Sequence, residues 1–272
     1  MSKDRGVRVA IGGFGAIGGR VAEALDRGIE GLSLAAVSAR DHGRAAAAME
    51  GFVRPAPVVG LSELAEYGDV VVECAPAPLL REIAEPALER GRRLVVLSCG
   101  ALLDNFDLVG LARKGGGRIH VPTGAVLGLD AVGAAAEGGI LSVTMITRKP
   151  PQGLQGAPYL VENGIEVTGL NSAKRVFAGT AREAARGFPA NVNVAAALAL
   201  AGVGPDRTMV EIWADPALTR NTHRIEVEAE AARFSMQIEG VPSFENPRTG
   251  RLTPLSVVAL LKRLTSPLLI GT

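Results

Sequence analysis

Three histidines, two cysteines and one glycine-rich turn are the groups of this 272-residue chain whose types and spacing could do chemistry. His42 sits in a charged loop beside Asp41 and Arg44 and reads as a solvated side chain. His120, inside Ile119-His120-Val121, reads as a hydrogen-bonded core histidine. His223 follows the polar run Arg220-Asn221-Thr222 at the start of a strand. By itself it is open to two readings, a structural histidine or an acid–base catalyst with an imidazole near neutral pKa. Cys74 and Cys99 have no histidine beside them in sequence and read as small buried hydrophobes rather than nucleophiles. No cluster of His, Cys or carboxylates has metal-ligand spacing, so no metal is expected.

The glycine turn is more specific. Val9-Ala10-Ile11-Gly12-Gly13-Phe14-Gly15-Ala16-Ile17-Gly18 ends a strand and opens a helix, and Gly13, Gly15 and Gly18 match G-x-G-x-x-G. In that setting the glycines allow a tight turn, close backbone approach to a pyrophosphate, and close helix–strand contact. The helix N-terminus offers unpaired N–H groups and the positive end of the helix dipole. The segment Gly13, Phe14, Gly15, Ala16, Ile17, Gly18 is therefore expected to bind a dinucleotide, NAD or NADP. About 20 residues past the motif, where NAD-preferring proteins place an acid for the ribose 2′-OH, the chain has Ser38 and Arg40. That pair could hold a 2′-phosphate and so accept NADP. The competing reading leaves Arg40 in water and gives the ribose to Asp41.

These groups need a scaffold at the carboxyl edge of a parallel sheet. Strand-like Val7–Ile11, Leu32–Val37, Val70–Glu73, Leu94–Leu97 and Ile119–Val121 alternate with helix-like segments, which predicts a doubly wound sheet. Ala75, Cys99 and Gly100 lie at two of its strand ends and join the expected coenzyme contacts. The pattern changes near Gly128. Gly138–Thr147 reads as a strand and Pro150–Pro158 as a loop. Thr180 reads as a helix N-cap with Glu183 three residues on, and a second helix runs from Val192 to Ala201. Met209–Ala214, Thr222–Ala231 and Arg233–Ile238 read as consecutive strands of an antiparallel sheet with one wet face.

The expected fold is thus α/β: a Rossmann-type doubly wound parallel sheet plus a smaller α/β domain with a largely antiparallel sheet. The dinucleotide-binding domain takes residues 1–127, with a C-terminal helix in 251–272 packing back on it. The second domain takes residues 128–250. Composition agrees with an enzyme of this class: 47% of residues are hydrophobic and only 4% aromatic. Net charge is +1, which argues against a nucleic-acid partner. No apolar run reaches membrane-spanning length, and no signal-peptide pattern opens the chain, which points to a cytoplasmic protein.

Substrate-binding candidates cluster in four polar segments. Thr123 and Gly124 follow the last strand of the first domain. Arg148 and Lys149 end a strand and could meet a carboxylate, Arg as a bidentate clamp and Lys as a point charge. Asn191 and Asn193 precede a helix, where one could cap it. Asn221 leads into His223.

Gly124-Ala125, Gly128-Leu129-Asp130, Asn191-Val192-Asn193-Val194-Ala195-Ala196 and Asn221-Thr222-His223, in this order with the glycine turn and Glu245–Gly250, resemble L-aspartate dehydrogenase over essentially the whole chain. The resemblance implies a homodimer that interconverts L-aspartate and iminoaspartate with NAD(P), the imine then giving oxaloacetate and ammonia. In some organisms the imine feeds NAD biosynthesis. It implies that His223 is catalytic and that Ala125 and Asn193 touch the dinucleotide. One departure is Ala39, where several relatives carry Asp, and this leaves coenzyme preference open. Two alternatives remain at the level of sequence: a dehydrogenase of another amino or oxo acid, and a dinucleotide-sensing protein without turnover.

Overall fold

A computed structural model describes residues 6–189, 192–243 and 249–271. The chain divides into two compact units. Unit one comprises Met1–Pro122 with Thr253–Leu269, and unit two Thr123–Leu252 with Ile270–Thr272.

Unit one holds β1 (Val7–Gly12), β2 (Leu32–Ser38), β3 (Val70–Glu73), β4 (Arg93–Val96) and β5 (Arg118–His120), in the order β2-β1-β3-β4-β5. All four pairings are parallel. The continuous apolar runs of β1, β3 and β4 follow from burial on both faces. The strand order reverses between β1 and β3, the place where open α/β sheets bind ligands. Val257 and Leu261, on the helix Leu252–Arg263, are fully buried in the same core as Val9, Ile11, Val21 and Leu25. Each contributes about 1.5–3 kcal/mol by leaving water.

Unit two holds β6 (Ile140–Lys149), β7 (Lys174–Thr180), β8 (Thr208–Ala214), β9 (Thr222–Ala229) and β10 (Arg233–Glu239), ordered β10-β9-β6-β8-β7. Three of its pairings are antiparallel, and β6 runs parallel to β8. The three strands from 208 to 239 follow one another in the chain, and β6 lies between β8 and β9 in the sheet. Thr180 caps the helix Ala181–Gly187 in a capping box with Glu183, as its spacing predicts.

The short helices Cys99–Asp104 and Pro158–Glu162, the helix Leu129–Gly138 and strand β7 escaped the sequence reading. The helix Leu129–Gly138 has no polar N-cap. It starts from Gly128, whose φ of 70° is left-handed and whose added Cβ would strike Met236. Strand β7 is an edge strand with a register shift between Arg175 and Phe177, which breaks its alternation. Among the described residues no helix is long and apolar enough to cross a membrane.

Candidate functional site

The glycine turn closes unit one's first strand–helix junction. Gly13 has φ +102°, and a Cβ there would sit 2.6 Å from the Cys74 carbonyl oxygen and 2.8 Å from the Ala75 nitrogen. Gly18 touches the Gly13 carbonyl, so a Cβ there would collide with it. Gly15 differs: it caps the helix Ala16–Asp26, and nothing lies within 4 Å of its would-be Cβ. Two glycines thus serve packing, while the third leaves open space over a helix N-terminus. The first intrahelical bond runs from the Gly19 N–H to the Gly15 carbonyl, at 2.8 Å. The N–H groups of Ala16, Ile17 and Gly18 precede it and suit an anionic phosphate. The side chains of Phe14 and Ile17 pack against the unit's core and are half-buried.

At the end of β2, Ser38 is buried and its carbonyl accepts the Gly13 N–H at 2.9 Å. Arg40 is exposed. Asp41 accepts the Arg44 N–H at 2.9 Å and caps the helix His42–Met49. That bond uses Oδ1 alone, so the exposed carboxylate keeps acceptor sites and both readings of the ribose contact stand. His42 is exposed in the first turn of that helix.

At the ends of β3 and β4, Ala75 is half-buried, and Cys99 and Gly100 are buried in the short helix Cys99–Asp104. Burial, reinforced by the nearby Glu73 carboxylate, pushes the Cys99 thiol up to about 12 and raises Cys74 well above its usual value. Neither is a thiolate nucleophile at neutral pH. The expected hydrogen bond of His120 is corrected: its Nε2 is buried without a partner, and burial lowers its pKa.

In unit two, Thr123 is exposed at a turn closed by the Val126 N–H to the Thr123 carbonyl, 3.0 Å. Gly124 at the tip has φ +62° and nothing within 4 Å of its would-be Cβ, and half-buried Ala125 follows it. Asn193 is exposed at the first residue of the helix Asn193–Ala201. Asn191 and Glu245–Arg248 lie outside the described residues. Asn221 is half-buried, and its carbonyl accepts the Gly240 N–H at 2.8 Å.

His223, the second residue of β9, stands directly opposite Thr147 of β6, both on the buried face of the sheet. Thr147 Oγ1 lies 3.0 Å from His223 Nδ1. Lys149, two residues beyond Thr147 and so on the same face, is also buried. Burial lowers Lys149 to about 8, while burial and the Lys149 charge lower His223 to about 3. A neutral imidazole thus stands near a buried ammonium. Arg148 is not part of this group, which corrects its pairing with Lys149. Strand alternation turns it to the other face, 3.5 Å from Asp215 and 5.0 Å from the Trp213 ring centroid. Thr147 was missed because its partner lies 76 residues away, and only the register of β6 on β9 reveals the pair.

Residues 130–264 match the C-terminal domain family of aspartate dehydrogenase, and residues 13–122 match the NAD binding domain of homoserine dehydrogenase. An L-aspartate dehydrogenase of Bradyrhizobium diazoefficiens is 60% identical, with 98% of this chain and 94% of that protein aligned. One from Methanosarcina mazei is 43% identical over 98% of this chain and all of that protein. The crystal structure of Thermotoga maritima aspartate dehydrogenase superposes with a TM-score of 0.75 at 25% identity, covering 97% of this chain and 99% of that one. With relatives this similar along nearly its whole length and a glycine turn shaped for a dinucleotide, the chain belongs to the L-aspartate dehydrogenase family.

Proposed function

We propose that the chain is an NAD(P)-dependent L-aspartate dehydrogenase. It converts L-aspartate, water and NAD(P)⁺ to oxaloacetate, ammonium, NAD(P)H and a proton through iminoaspartate, and runs the reverse amination at the same site. The observation that carries this is the Thr147–His223–Lys149 group on one buried face of unit two. Bound NAD or NADP supplies the hydride acceptor for oxidation at Cα.

The residues divide the remaining work. Burial and the Lys149 charge keep His223 neutral in the free protein; a substrate carboxylate that pairs with Lys149 offsets that charge and strengthens the imidazole as a base. His223 removes a proton from the water that adds to the imine carbon, and returns one as ammonia leaves. Thr147 fixes the ring through Nδ1 and leaves Nε2 to face the chemistry. Lys149 supplies the cation for a substrate carboxylate, with Asn221, Thr123 and Gly124 as further polar contacts. The glycine turn holds the pyrophosphate, Ala125 and Asn193 contact the dinucleotide, and Arg40 receives a 2′-phosphate. Location in the cytoplasm and a homodimer go with this reading. Supporting the dimer is the half-exposed outer face of the second sheet, which carries Ile146, Trp213 and exposed Met209.

The test is a panel of L-aspartate, D-aspartate, glutamate, alanine, homoserine and malate with both coenzymes, run on wild type and His223→Ala. L-Aspartate is expected to be the fastest substrate. His223→Ala should lower kcat at least about tenfold with coenzyme affinity unchanged. A faster second acid would overturn the substrate, and full turnover by the variant would remove His223 from the mechanism.

A further inference from the structure

Unit one buries an acid that the reaction does not use. Glu73, the last residue of β3, is 0% exposed. Its Oε2 accepts the Leu97 N–H at 3.0 Å and the Ser98 N–H at 2.9 Å, and its Oε1 accepts the Ser98 hydroxyl at 2.9 Å. Ser98 stands at the N-cap of the helix Cys99–Asp104, yet its side chain makes no bond to that helix. It turns to Glu73 instead. We propose that Glu73 is a positioning residue for the coenzyme, tying the segments that follow β3 and β4 together and holding Cys74-Ala75 against the glycine turn.

The contacts run without a gap. The Leu97-Ser98 segment donates to the Glu73 carboxylate. Glu73 leads into Cys74, whose N–H donates to the Gly12 carbonyl at 2.7 Å. The Cys74 carbonyl and the Ala75 nitrogen form the wall against which Gly13 turns. That wall sets where Gly15 and the first N–H groups of the helix point. A carboxylate suits this place because its two oxygens offer about four acceptor sites, so one side chain can satisfy both strand ends. An amide has a single acceptor oxygen, and its NH2 would face N–H groups. Burial raises the Glu73 pKa, while four donors, the Ala75 N–H among them, pull it the other way. Burying an acid is costly unless its polar atoms are well paired, and the segments Glu73 joins are those nearest the glycine turn.

The proposal rests on the dehydrogenase reading for the identity of its ligand. Its test is direct titration of NADH and NADPH by fluorescence, without substrate, on wild type, Glu73→Gln and Ser98→Ala, with Tm measured on the coenzyme-free proteins. Hydrogen bonds to the pyrophosphate weaken steeply as the N–H groups of the glycine turn shift out of reach. Glu73→Gln should therefore raise the coenzyme Kd at least about tenfold, with kcat at saturating coenzyme and the aspartate KM near wild type. Ser98→Ala, which removes one donor of four, should raise Kd less. A folded Glu73→Gln with wild-type Kd overturns the proposal, whatever its Tm. If Glu73→Gln does not fold, Ser98→Ala decides: a raised Kd at near-normal Tm supports the proposal and a wild-type Kd overturns it. A wild-type protein that binds neither coenzyme overturns the dehydrogenase reading, and this proposal with it.

Discussion

Lys149→Met separates the cation's work from its cost. The ammonium is buried and its pKa falls from 10.5 to about 8. At about 1.36 kcal/mol per unit, the folded protein bears a penalty of about 3 kcal/mol for keeping it charged at neutral pH. The sign follows from proton counting. Between about pH 8 and 10.5 the unfolded chain holds the proton and the folded chain does not, so stability rises with pH across that window. Methionine keeps the unbranched stem and has no proton to lose. Urea unfolding of both proteins at pH 7 and pH 10 should show wild type gaining about 2–3 kcal/mol on the variant over that interval. This difference in slope does not depend on contacts the substitution adds or removes. In activity, kcat/KM for aspartate should fall in wild type above about pH 8, as the ammonium that meets the carboxylate is lost. The variant should be at least about tenfold weaker at pH 7, without that alkaline limb. Parallel stability curves for the two proteins would refute a depressed Lys149. An unchanged aspartate KM would refute its role as the carboxylate's cation.

Thr147→Val should lower kcat several-fold with coenzyme affinity intact, and Thr147→Ser should restore most of it; equal turnover by the valine variant would dissociate Thr147 from His223. Gly15→Ala should leave Tm near wild type and raise the coenzyme KM, since its methyl enters open space. Gly18→Ala should instead lower Tm, by overpacking of about 1–3 kcal/mol against Gly13; calorimetry beside coenzyme titration distinguishes the two. Arg40→Ala should weaken NADP more than NAD, and equal loss with both coenzymes would take Arg40 away from the 2′-phosphate.

Much of unit one was legible because its signals are local. The β-branched runs, the glycine spacing and the place of Ser38 and Arg40 all follow from short stretches of chain. Unit two hides more. The helix Leu129–Gly138 has alanines and glycines where a cap and an apolar stripe would announce it, and a shifted register disguises β7. The failure at Arg148 is instructive. Adjacent cations look like one clamp in a linear sequence, but a strand sends neighbours to opposite faces. The long-range couples Thr147–His223 and Glu73–Ser98 were invisible for a related reason: each exists only once a strand has chosen its neighbour.

The helix Leu252–Arg263 has a temporal consequence. Val257 and Leu261 belong to the core around β1, so unit two is an insertion within the chain of unit one rather than a successor to it. During synthesis the parallel sheet can assemble early, but its core stays open on one side until residues past 250 leave the ribosome. Unit two is then already emerged and free to fold. The coenzyme-binding unit is therefore the first begun and the last completed, and a chain cut short before residue 257 would carry a whole glycine turn on an unfinished core.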